Sequence, residues 1–141
     1  MEQVPLEDKI KVLNSQNWVE SDVVDFILEC LNGDESYEYK KEVRSSTQVT
    51  VDLLLPNGCR KLGFSKKSII EIKRFITSNA LQSLRLIYDN SIDFYEMIVI
   101  CGNHPQMIDL FLQTYLDGRN IRCITIKELL SLYASNKDKI S

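Results

Sequence analysis

Three side chains in this chain have the types and spacing for acid and metal chemistry. Asp52 interrupts the apolar run "VTVDLLLP", and Glu71 and Lys73 interrupt "SIIEIKRF". Side chains alternate faces along an extended strand, so Glu71 and Lys73 point the same way. If the two runs pair, Asp52 and Glu71 meet at one end of a sheet. Carboxylates held a few ångströms apart repel one another, and a divalent cation between them relieves the cost. An all-oxygen donor set suits a hard ion, Mg²⁺ or Mn²⁺, which takes one or two protein carboxylates and keeps several waters. Such an ion polarises a phosphoryl oxygen and lowers the pKa of its water. A neighbouring lysine places positive charge where a pentavalent phosphorane builds negative charge. The plainer reading of Glu71 and Lys73 is a weak ion pair on an exposed sheet face. Ile69, on the same face, argues against full exposure.

These positions need a scaffold, and the hydrophobic pattern supplies one. Residues 1–18 read as an arm or a short helix, and 19–141 as one domain. Helix A is expected over about 19–32, with Val19, Val23, Val24, Ile27, Leu28 and Leu31 at helical spacing, Ser21 as a candidate cap and Gly33 past the end. Trp18 reads as a core anchor at its start. "YEYKKEV" alternates as a first strand. "STQVTVDLLLP" is a second, with Val49, Val51, Leu53 and Leu55 on one face and Pro56-Asn57-Gly58 ending it. "SIIEIKRF" is a third, joined to the second as an antiparallel hairpin. A helix follows in "TSNALQSLRLIYDN", capped by Thr77 or Ser78, with Leu81, Leu84, Ile87 and Tyr88 inward. Then come a buried strand "FYEMIVICG", a helix "PQMIDLFLQTYLDG", a strand "NIRCITI" and a helix "KELLSLYASNK". The order α-β-β-β-α-β-α-β-α predicts an α/β fold, a mixed central sheet flanked by helices.

The pattern Asp52, eighteen residues, then Glu71-Ile72-Lys73 on adjacent strands resembles the PD-(D/E)xK, or restriction-endonuclease-like, nuclease superfamily. Its nearest flavour is that of the Holliday-junction-resolvase and restriction-enzyme branches. The resemblance spans about residues 19–134 and implies a metal-dependent endonuclease acting on nucleic acid, DNA ahead of RNA. It makes Asp52 and Glu71 metal ligands and Lys73 the catalytic lysine. It also implies a further glutamate from the first helix, Glu20 or alternatively Glu29, and a glutamine on the next helix, Gln82. Val51 stands where many members carry proline. A catalytically silent binding module, or a subunit of a larger defence or recombination complex, is the alternative on the same fold. Members commonly act as dimers, so a homodimer or a larger complex is open to it.

Bulk properties bound the rest. With 17 basic and 20 acidic residues the net charge is −3, so anion binding must come from a local patch rather than the whole-protein field. Arg60, Lys61, Lys66, Lys67 and Arg74 flank the motif and are the expected nucleic-acid-binding residues; a solvated loop is the plainer account. The four cysteines form no C-x-x-C pair and the single histidine, His104, cannot build a multi-histidine site, so reduced, packed thiols in a cytoplasmic protein are expected. The mixed acidic start "MEQVPLEDKIKVL" does not read as a signal peptide, and the apolar runs are too short to span a bilayer.

Overall fold

The structure is a computed structural model that describes residues 5–31, 38–39, 42–43, 49–90, 94–102 and 118–138. Expectations for His104 and for a helix over 105–117 fall outside the described residues. Two helices open the chain, α1 (Leu6–Asn14) and α2 (Glu20–Leu31). Short strands follow, β1 (Glu38–Tyr39), β2 (Glu42–Val43), β3 (Val49–Thr50) and β4 (Leu53–Leu55). Next are β5 (Ser68–Lys73), α3 (Ser78–Asn90), β6 (Glu96–Cys101), β7 (Ile121–Thr125) and α4 (Ile126–Asn136).

The main sheet has the order β1-β4-β5-β6-β7. β1, β4 and β5 pair antiparallel, while β5, β6 and β7 run parallel, so the sheet is mixed as expected. Alternation along the strands divides the core in two. Ile70, Ile72, Ile98, Ile100 and Ile124 face one side, packed with Val23, Phe26 and Ile27 of α2 and Leu129 of α4. Met97, Val99 and Cys101 face the other, packed with Leu81 and Leu84 of α3. Both faces of the parallel strands are thus covered, which is why β6 is apolar from Met97 to Cys101 and is buried throughout.

Local chemistry sets the helix starts. α2 is not capped by Ser21. The Asp22 carboxylate instead accepts from the Val19 amide at 2.8 Å, the return half of a capping box, and this puts Glu20 in the first helical position. Thr77 caps α3, its hydroxyl accepting from the Ala80 amide at 3.2 Å. α4 opens with a full capping box between Thr125 and Glu128.

The second strand departs from expectation in an informative way. It is broken at Val51–Asp52. The part before the break, β3, pairs with β2 in a separate two-stranded sheet, and the part after it, β4, joins the main sheet. Strict alternation places Val51 with Leu53 and Leu55, but the break resets the phase. Leu53 and Leu55 enter the α2 side of the core, and Val51 packs with Ile69 on the opposite side.

At the other end of the hairpin the chain turns through Gly58, at φ +70. Its amide donates to the Leu55 carbonyl at 3.1 Å. A Cβ there would lie 2.4 Å from the Phe64 carbonyl oxygen and 2.5 Å from that of Ser65. Gly58→Ala is therefore expected to lower stability by about 1–3 kcal/mol, read from urea denaturation, through left-handed strain and backbone collision together. A loss no larger than that of an ordinary surface substitution would show that the turn rearranges.

The cysteines are thiols; Cys30, Cys59 and Cys101 are buried and Cys123 half-buried. Burial raises the Cys30 thiol well above its ordinary pKa, which makes it a packing residue rather than a nucleophile. Among the described residues no helix is long and apolar enough to cross a membrane.

Candidate functional site

The break at Asp52 is where the sheet ladder is rebuilt from side chains. The β4–β5 register pairs Leu53 with Ile70, and extending it by one residue sets Asp52 opposite Glu71. Backbone pairing stops there. The Asp52 amide donates to Glu71 Oε1 at 2.9 Å, and the Ile72 amide donates to Asp52 Oδ2 at 3.0 Å. Each carboxylate holds an amide of the other residue's strand. The interlock gives both part-buried amides an acceptor where the backbone ladder stops, and it brings both acids to one point.

Glu71 is only 3% exposed although it carries a carboxylate. Its pKa is pushed up to about 7, from an ordinary value of 4.5. Burial is the main cause, and the Asp52 charge adds to it. The hydrogen bond from the Asp52 amide and the Lys73 ammonium act the other way, and Glu20 adds a smaller upward push. Lys73, half-buried at the last position of β5, lies on the Glu71 side of the strand.

The structure thus gathers Asp52, Glu71 and Lys73. Glu20 is exposed at the start of α2, near enough to act on Glu71 through its charge. Glu29 is turned elsewhere, in an ion pair with Lys9 at 3.2 Å. Of the two glutamates, Glu20 is the one on the side of the site. Among the described residues no three or more His, Cys, Asp or Glu side chains are clustered to hold a metal ion, so Glu20 does not complete a three-carboxylate set. The donor chemistry still fits one hard cation. A carboxylate has about four lone-pair sites, so an amide hydrogen bond and a metal can share it, and Mg²⁺ accepts two protein carboxylates with water filling the remaining positions. Such an ion would relieve the Asp52 repulsion that adds to the effect of burial on Glu71.

Gln82 is not brought in. On α3 the buried positions are Leu81 and Leu84, so Gln82, about 100° around the helix from Leu81, is exposed. Among the described residues no hydrogen bond joins it to Asp52, Glu71 or Lys73. The basic loop is also not beside the site. Lys61, Lys66 and Lys67 belong to the turn that joins β4 to β5, and the acids sit at the far end of those strands. Along β5 alone, Lys67 is roughly 13 Å from Glu71 at the strand rise of 3.3 Å per residue. Closeness in sequence suggested a flank; an antiparallel hairpin puts its turn and its open end on opposite sides.

Arg74 is near the site but inward-facing. Its guanidinium donates to the Trp18 and Gln16 backbone carbonyls and lies over the Trp18 ring, 5.2 Å from the centroid. Trp18 is the core anchor expected of it, 6% exposed. Gly102, at the end of β6, donates its amide to the Arg74 carbonyl at 3.1 Å. A Cβ on Gly102 would come within 2.9 Å of that oxygen and 3.2 Å of the Trp18 ring, so a side chain would prise β6 from Arg74. Sequence reading did not connect these residues, since 56 positions separate Trp18 from Arg74 and neither lies in a recognisable motif. No family model, curated protein or solved structure matches the chain.

Proposed function

We propose that the chain is a metal-dependent nuclease of restriction-endonuclease-like fold, hydrolysing nucleic-acid phosphodiester bonds, with DNA ahead of RNA as substrate. The observation that carries the reading is the Asp52–Glu71 interlock at the strand break, with Lys73 one strand period beyond. Structural carboxylates at a strand end are normally placed in water. Here one is buried against another, an arrangement that is costly without a cation and useful with one.

Mg²⁺ or Mn²⁺, when bound, would polarise the phosphoryl oxygen and acidify its water. Asp52 and Glu71 would hold it, with Glu20 adding negative charge from the helix start and the Ile72 carbonyl as a further oxygen donor. The hydrogen bonds that the Asp52 and Ile72 amides donate to the two carboxylates keep them oriented before substrate arrives. Lys73 offers its ammonium to the charge that builds on the phosphoryl oxygens, or holds the attacking water. Lys61, Lys66 and Lys67, at the far end of the hairpin, would serve as remote phosphate contacts along an extended strand rather than at the scissile bond.

The test is cleavage of plasmid, single-stranded DNA and RNA in Mg²⁺ or Mn²⁺, beside Asp52→Ala and Lys73→Ala. Cleavage that survives both substitutions would remove this site from the reaction. A second reading, a silent nuclease-fold binding module or complex subunit, is favoured by the gathering of two acids rather than three. Nucleic-acid binding without cleavage by the wild-type chain would select it. Glu20→Gln is expected to lower cleavage about tenfold, as loss of one outer charge, with Glu29→Gln unchanged. Equal effects of the two would detach Glu20 from the site.

A further inference from the structure

A cleft of about 300 Å³ opens past the carboxyl end of β5, around Arg74 and Phe75, and is lined also by Ser15, Gln16, Trp18 and Gly102. Three features make it more than a surface dimple. Its wall is a cation–aromatic cluster, with the Arg74 guanidinium over both the Trp18 ring and the Phe75 ring, at 5.2 and 5.9 Å from their centroids. The cluster is held in place before any ligand arrives, because two backbone carbonyls fix the guanidinium and Gly102 lets the end of β6 approach the Arg74 backbone and the Trp18 ring. Phe75, two residues past Lys73, is 65% exposed, and its ring is not consumed by the core.

We propose that this cleft, at the same end of β5 as the acids, binds the base of one unpaired nucleotide of the strand whose phosphate Lys73 and the two carboxylates address; the inference rests on the nuclease reading above. An aromatic ring beside a fixed guanidinium offers a planar, apolar and electropositive surface, which any nucleobase face can cover. Gln16 at the rim carries an amide able to donate and to accept at a base edge. The volume is at the small end for ligand sites and suits a single nucleoside, not a stacked base pair. In a continuous duplex both faces of each base are already covered by neighbours, so filling the cleft requires an unstacked base. The substrate class follows: single strands, flaps, gaps or branch points, in preference to intact duplex.

Trp18 is the only tryptophan of the chain and lines the cleft, so its emission reports occupancy. A short single-stranded oligonucleotide and the duplex of the same sequence would be titrated into the full chain with Ca²⁺ in place of Mg²⁺, following Trp18 fluorescence and the anisotropy of labelled strands. The single strand is expected to quench Trp18 saturably, and the duplex to bind without quenching. Phe75→Ala is expected to weaken single-strand binding about tenfold, the loss typical of one stacked base, with duplex binding unchanged and Phe75→Tyr restoring it. Phe75 is exposed, so the variant is expected to fold. If Phe75→Ala alters both affinities equally or neither, or if bound single strand leaves Trp18 emission unmoved, the cleft is not the base site and nucleic-acid binding stands without it. If neither strand binds by anisotropy, the inference falls together with the nuclease reading.

Discussion

Lys73→Ala is expected to lower the rate of phosphodiester cleavage by about 100- to 1,000-fold, the loss typical of removing one charge-stabilising donor from a reaction centre. Folding should be almost untouched. Lys73 is half-buried at the final position of β5, so trimming it leaves no enclosed cavity in the core. Its ammonium also holds Glu71 down, so the variant's Glu71 should titrate at higher pH and the residual activity should shift upward with it. Asp52→Ala is the harsher change, because the Ile72 amide loses its acceptor as the reaction loses a ligand. Asp52→Asn separates the two effects by keeping an oxygen for that amide. Single-turnover cleavage beside a thermal melt decides the matter. A Lys73→Ala chain that cleaves at the wild-type rate, or one that has lost its melting transition, would remove the lysine from the role given to it.

Without divalent cation, stability is expected to fall between about pH 4.5 and 7, in the direction opposite to most acid-sensitive proteins. Glu71 holds its proton more tightly in the folded chain, at about 7, than its ordinary value of 4.5. Between these values the folded state binds more protons than the unfolded one, so unfolding becomes easier as pH rises. The stabilisation is full below the unfolded value and gone above the folded one. A gap of this size corresponds to about 3 kcal/mol, to order of magnitude. Urea denaturation of the wild type and Glu71→Gln in EDTA, at pH 5 and pH 8, isolates the contribution. The wild type should lose the larger share of its stability at pH 8, and the glutamine variant, neutral throughout, should lack this part of the trend. Mg²⁺ at pH 8 should return stability to the wild type alone, by binding the folded form. The same pH trend in both chains would mean that Glu71 is ionised and solvated, and would overturn its burial beside Asp52.

Much of the scaffold was legible because it rests on local patterns. The Ile-rich run of β5 and the wholly buried β6 follow from hydrophobic content, and the β4–β5 hairpin from two strand patterns around a glycine-bearing turn. The inward Leu81 and Leu84 follow from helical period. Even the pairing of Asp52 with Glu71 could be read from the interruption of two apolar strands. Gln82 could not be read in the same way, since a helical position near a motif in sequence says nothing about which side of the helix meets the sheet.

By itself the sequence determined the residue types at the site, their strands and the mixed α/β plan, since these depend on spacing along a few neighbouring residues. Tertiary structure decided the rest. The strand break that turns Val51 to the opposite core arises because side-chain carboxylates replace the backbone ladder. The near-neutral affinity of Glu71 for its proton arises from burial, which exists only once the helices cover the sheet. The turn lysines lie at the far end from the acids, and Trp18 lies against Arg74, because packing distance is set by strand direction and helix placement rather than by position in the chain.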